Sequence, residues 1–207
     1  MPMQLITPPA GEPVSLAEAK LHLRVDFDED DELIQALISA ARQAAETITN
    51  RQFITARWKL VMDSFPGPSL MGVPAGQPFT LPGHAILIQK SPVLSVVSIN
   101  YLDMTGAIQT MPSSNYTVDT ACEPARITPV FGQIWPIPLP QIGSVSVTFD
   151  VGYGNAFAVP EGIKSWIKLR VGSLYAHREE IASLSRGRIE PLQFVDRMLD
   201  PYMVVYL

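Results

Sequence analysis

Six acidic residues crowd one short stretch: Asp26, Asp28, Glu29, Asp30, Asp31 and Glu32. Carboxylates at this density are the raw material of a calcium loop. An EF-hand starting at Asp26 needs glycine at its sixth position and glutamate at its twelfth. Those positions hold Asp31 and Leu37, so the loop fails twice and a solvated acidic helix start is the expectation. His22, His84 and His177 lie far apart, with no HxxxH or HExxH spacing, and Cys122 is the only thiol. No metal and no cofactor is expected. Gly152-Tyr-Gly154 follows a strand-like run but lacks the third glycine of a dinucleotide loop. No GxxxxGK[ST] or GxSxG occurs. Cys122 has Glu123 beside it, and a negative neighbour disfavours the thiolate. Asp119, Glu123 and Asp150 are the carboxylates a hydrolase hidden in the middle of the chain would use, but nothing in the sequence pairs them. The chain is not expected to be an enzyme.

Composition narrows the classes further. The chain has 207 residues and a formal net charge of −5, of which 47% are hydrophobic and 17% charged. That is enough apolar material for a core, and it does not make a nucleic-acid-binding surface. The acidity is local. Residues 1–50 hold nine acids and three bases, while the rest is close to neutral. A single cysteine rules out an internal disulfide. Residues 1–11 lack a basic start and an apolar run, and no stretch approaches the ~20 apolar residues of a membrane span. A soluble protein, cytoplasmic when made and not membrane-bound, is expected.

The elements that would position these residues follow from periodicity. Ser15-Leu-Ala-Glu18 has the pattern of a capping box and predicts a helix from Leu16 to about Arg24. Leu33, Ile34, Leu37, Ile38, Ala41, Ala44, Ala45 and Ile48 recur at three- and four-residue spacing, predicting a second helix from about Asp30 to Asn50. The period then falls to two. Ile54, Ala56, Trp58, Leu60 and Met62 alternate as one face of a strand. Residues 66–83, with five prolines and four glycines, read as a loop. Short strands follow at residues 85–89, 94–102, 107–111, 116–118, 126–128 and 144–151, with a hairpin turn at Asp103–Gly106. Trp135-Pro-Ile-Pro-Leu-Pro140 is forced into an extended strap. Pro160 opens a third helix that runs to about Glu180, with Ile163, Trp166, Ile167, Val171 and Leu174 as its apolar face.

The resulting expectation is an α+β chain. Three helices form a small antiparallel bundle from residues 1–52 and 159–207, which ends in an extended C-terminal arm. Residues 53–158 are an inserted antiparallel β-sandwich or barrel-like domain. The basic residues Lys164, Lys168 and Arg170 on the third helix read as a solvated face. The other reading is a docking surface for the acidic start of helix two (Asp28, Asp30, Asp31, Glu32) in another copy, a head-to-tail contact of the kind that generates rings.

Several segments, taken in order, resemble the head–tail connector family of tailed phages and prophages, in its longer branch with a β-insertion. They are Pro13-Val-Ser-Leu-Ala-Glu-Ala-Lys-Leu-His-Leu-Arg24, Ser91–Tyr101, Tyr116–Asp119, Phe149-Asp-Val-Gly-Tyr-Gly154, Leu174–Glu179 and Leu199–Tyr206. The resemblance implies a structural ring, expected to be twelve-fold, in the neck of the particle. The ring would lie between the portal protein and a stopper or tail-completion protein, and double-stranded DNA would pass through it without sequence-specific contact. The resemblance also implies that the arm, Pro201, Tyr202, Met203, Val204, Val205, Tyr206 and Leu207, reaches the portal. It brings no catalytic residues. The alternative kept open is a β-sandwich tail or carbohydrate-binding module of a phage particle.

Overall fold

The computed structural model describes residues 2–67, 84–177 and 197–204. These residues contain three helices and antiparallel sheets, an α+β fold, and they divide into two compact units. The described parts of Met1–Pro8 and Thr55–Gly152 form one; those of Pro9–Ile54 and Tyr153–Val205 form the other.

In the second unit, α1 spans Leu16–Leu23, α2 Asp31–Thr49 and α3 Glu161–Ala176. The capping box is present. The Ser15 hydroxyl accepts from the Glu18 N–H at 3.2 Å, and the Glu18 carboxylate accepts from the Ser15 N–H at 2.8 Å. These bonds hold the Glu18 carboxyl below its ordinary range. Both α1 and α2 stop at residues in the left-handed conformation, Arg24 (φ 58°) and Asn50 (φ 55°). Pro160 caps α3 from outside its first turn, which begins at Glu161. Ile34, Ile38, Ala41 and Ala45 of α2 pack with Ile163, Trp166, Ile167 and Val171 of α3 in one core with Phe53. Each fully buried isoleucine contributes about 1.5–3 kcal/mol. The predicted stripe departs from the structure at its last member. Ile48 is 39% exposed and Thr49 is buried in its place. The buried row runs 34, 38, 41, 45, 49, and Ile48 stands one residue to its side.

The other unit holds eight strands. β1 (Met3–Thr7), β2 (Ala56–Met62), β4 (Val93–Leu102), β5 (Ile108–Thr110) and β8 (Val145–Val151) form a sheet in the order β1-β2-β8-β4-β5. A second sheet has the order β3-β7-β6, from Ile86–Ile88, Ala125–Pro129 and Tyr116–Asp119. All pairings are antiparallel. The alternation expected of residues 144–151 is there: Val145, Val147, Phe149 and Val151 are fully buried while the residues between them are not. These four share a core with Ile86, Ile88 and Ile127 of the smaller sheet. The five-stranded sheet is open, with β1 and β5 at its edges, so no barrel closes among the described residues. β1 is a strand that periodicity did not announce. Asp103 builds the β4–β5 turn by accepting from the N–H groups of Thr105 (2.9 Å) and Ala107 (3.0 Å). Gly106 supplies the positive φ (84°) that closes it.

One buried polar cluster sits at the end of α2. The Glu46 carboxylate accepts from Arg42 Nη1 (2.8 Å), from the Gln52 amide (2.6 Å) and from the Phe53 N–H (3.0 Å). Glu46, Arg42 and Gln52 are all buried. Glu46→Ala removes the acceptor for three donors at once. It is expected to lower the unfolding free energy by about 3 kcal/mol, read from the urea midpoint at unchanged slope. A loss below about 1 kcal/mol, the range of an exposed pair, contradicts this role.

Candidate functional site

The C-terminal segment is held by the end of α2. Leu199 is fully buried, and residues 200–202 make a single 3-10 turn. The Val204 N–H donates to the Thr49 carbonyl at 3.0 Å, and the Asn50 amide donates to the Val204 carbonyl at 3.0 Å. Arg51 Nε donates to the Tyr202 carbonyl at 2.6 Å, and its guanidinium lies 5.9 Å from the centre of the Tyr153 ring. The Tyr202 hydroxyl sits where a side chain on Gly162 would be, 2.7 Å from an added Cβ. Of the residues expected to form a partner-binding arm, Tyr202 is half-buried, Val204 is buried, and Pro201 and Met203 are exposed. Val205, Tyr206 and Leu207 lie outside the described residues. Through Val204, then, the arm is anchored in its own helical unit.

Nothing in the residue pattern marks Arg51 as an anchor, since its partner is 151 residues away. Asn50 did carry a cue. An asparagine after the last apolar position of a helix marks a left-handed cap, and here the cap turns its side chain onto Val204.

The charged residues expected at a subunit interface are partly engaged within the chain. Lys20 Nζ lies 2.7 Å from both Asp28 and Asp31. Its hydrogen bond draws the Asp28 carboxyl below its ordinary value and lifts the Lys20 ammonium above its own. The Tyr175 hydroxyl donates to Asp30. Lys164 is only 7% exposed, and its Nζ meets Glu161 at 2.8 Å. Glu32 and Arg170 are exposed and Lys168 is half-buried. Among the described residues, no group of His, Cys, Asp and Glu side chains converges on a metal position. Two of the carboxylates considered for hydrolysis are engaged by arginines. Asp119 of β6 is bound by Arg126, while Asp150 of β8 takes a two-pronged bond from Arg57 at 2.7 and 2.9 Å. The Arg126 bond holds Asp119 below the usual carboxylate range. No described helix is long and apolar enough to cross a membrane.

The proline strap frames an apolar cleft of 540 Å³ in the β unit. Trp135 stacks on Phe65 at 4.9 Å and donates to the His84 carbonyl at 2.6 Å. Ile134 and Ile137 on its rim are 84% and 76% exposed.

Among the described residues, the features that stand out are an anchored C-terminal segment and charged or apolar surfaces. Residues 13–101 match the family of phage gp6-like head-tail connector proteins. The matched segment takes in α1, α2, β2, β3 and most of β4. No curated protein matches the chain. Solved structures match over its whole length. A chain of the neck of an empty gene transfer agent particle, computed with C6 symmetry, has a TM-score of 0.75 at 19% identity, covering 100% of this chain and 97% of that one. A chain of the virion of a native gene transfer agent particle gives 0.75 at 18%, with the same coverage. One from the neck of the native particle, computed with C12 symmetry, gives 0.73 at 18%, again over 100% and 97%. At this identity the likeness shows a shared fold, and it extends beyond residues 13–101 to α3 and the C-terminal turn.

Arg51→Ala removes a hydrogen bond from a charged donor, worth about 1.5 kcal/mol or roughly tenfold in local opening. The Met203 and Val204 amides are expected to exchange with solvent about that much faster, while amides in α3 stay unchanged. Unchanged exchange at Val204 contradicts the anchor.

Proposed function

We propose that this chain is a head–tail connector subunit of a tailed phage or prophage particle. Copies form a ring beneath the portal, link it to a stopper or tail-completion protein, and leave a channel for double-stranded DNA. The observation that carries this reading is the family match over residues 13–101. The full-length likeness to chains from particle necks supports it. Those necks were computed with C6 and with C12 symmetry, and both are compatible with the twelve copies proposed here. The family match also favours this reading over a glycan-binding tail module. A structural role of this kind needs no catalytic group, metal or cofactor. Assembly would take place in the bacterial cytoplasm and leave the protein in the virion neck.

Surface chemistry is compatible with DNA passage. Phosphate binding needs clustered lysine and arginine. The chain is acidic overall, and Arg57, Arg126 and Lys20 are each taken up by a carboxylate. The contact with the portal is assigned to Pro201–Leu207, whose root is fixed by Asn50 and Arg51. Neighbouring subunits meet through the acidic start of α2 (Asp28, Asp30, Asp31, Glu32) and the basic face of α3, where Lys168 and Arg170 are accessible and Lys164 is buried against Glu161 within its own chain.

Light scattering after size exclusion, with and without the portal protein from the same particle, tests the reading. Stoichiometric capture that is lost when residues 201–207 are deleted is the expected result. A strict monomer that ignores the portal contradicts it.

A further inference from the structure

The helical unit has a second cleft, of 660 Å³, between the start of α1 and the first half of α2. Its floor is apolar, with Val14 and Ile38 at 1% and 2% exposure. Its rim carries Glu12, Glu32 and Ser39. Of its two carboxylates, Glu12 is met by Arg42 Nε at 2.7 Å. Glu32 is the one in surplus, exposed and with no ion pair among the described residues.

An apolar floor under a surplus of carboxylate suits a side chain with a long apolar stem and a cationic end. Arginine suits it best, because its planar fork can bind a carboxylate through two parallel hydrogen bonds. α3 offers one. Arg170 is exposed and has no ion pair among the described residues, whereas Lys164 is buried against Glu161.

We propose that this cleft receives Arg170 of a second copy, with its guanidinium on Glu32 and its stem over Val14 and Ile38. Donor and acceptor lie on different elements. Each copy therefore gives one arginine and takes one, a heterologous contact that can close into a ring. The inference rests on the ring reading and narrows its interface to one side chain and one cleft.

Two measurements test it, both on the full chain. In the first, assembly is followed by light scattering for R170E, E32R and the double swap, with circular dichroism to verify folding. Each single reversal is expected to weaken association roughly tenfold or more, the double swap to restore it, and R24E to leave it unchanged. In the second, E32C and R170C chains, each also C122S, are mixed and oxidised. A disulfide-linked pair is expected only in the mixture. A ring that forms normally in R170E, with no cross-link in the mixture, overturns this contact and leaves the ring reading standing. A cross-link within an E32C/R170C double variant kept as a monomer would place the arginine in its own cleft, which also overturns the contact. If the unaltered chain forms no oligomer, alone or on its portal, the ring reading fails and the contact fails with it.

Discussion

The end of α2 is the constraint on which the helical unit depends. Glu46, in the last turn of α2, receives Arg42, Gln52 and the Phe53 N–H. Thr49, Asn50 and Arg51 then take hold of residues 202–204. A helix end leaves carbonyls without partners and must be satisfied from elsewhere. Here the Glu46 carbonyl accepts from the Arg51 N–H just beyond the helix, and the Thr49 carbonyl accepts from Val204 of the C-terminal segment. Buried charge makes the arrangement exacting. Arg42 loses solvation, and the contacts from Glu12 and Glu46 more than offset that loss, keeping it firmly protonated.

The surface ion pairs are a different matter. Asp28 is 89% exposed in its pair with Lys20, and a pair of that kind contributes little to stability. Asp28 and Glu32, the exposed acids at the start of α2, therefore contribute little to holding the fold, whereas Asp30 is held by Tyr175 and Asp31 by Lys20. At the first turn the acidic cluster complements the helix dipole, and Glu32 is left outward beside a cleft with an apolar floor. The fold is stabilised by packing and by one buried network, while the outward charges remain available for contact between chains.

Much of this was legible in the sequence wherever local chemistry decides. Ser15 and Glu18 announce α1 because a capping box needs only four residues. Val145 to Val151 announce β8 because a strand buried on one face must alternate. β1 could not be read in the same way. Met3–Thr7 is an edge strand, mostly exposed, and it exists because residues some fifty positions later offer it a partner. Ile48 was misplaced because a stripe drawn from types alone cannot tell which of two adjacent residues faces the core at a helix end. The anchor of the arm was hidden for the same reason as β1: Arg51 and Tyr202 meet only in the folded chain. Clefts are equally silent, since they depend on what the packing leaves unfilled.

A ring assembled on the portal would be visible directly by electron microscopy. The class averages are expected to show a closed ring with twelve-fold symmetry and a central opening wide enough for duplex DNA. Single bound copies, open filaments or a solid disc would contradict the ring reading.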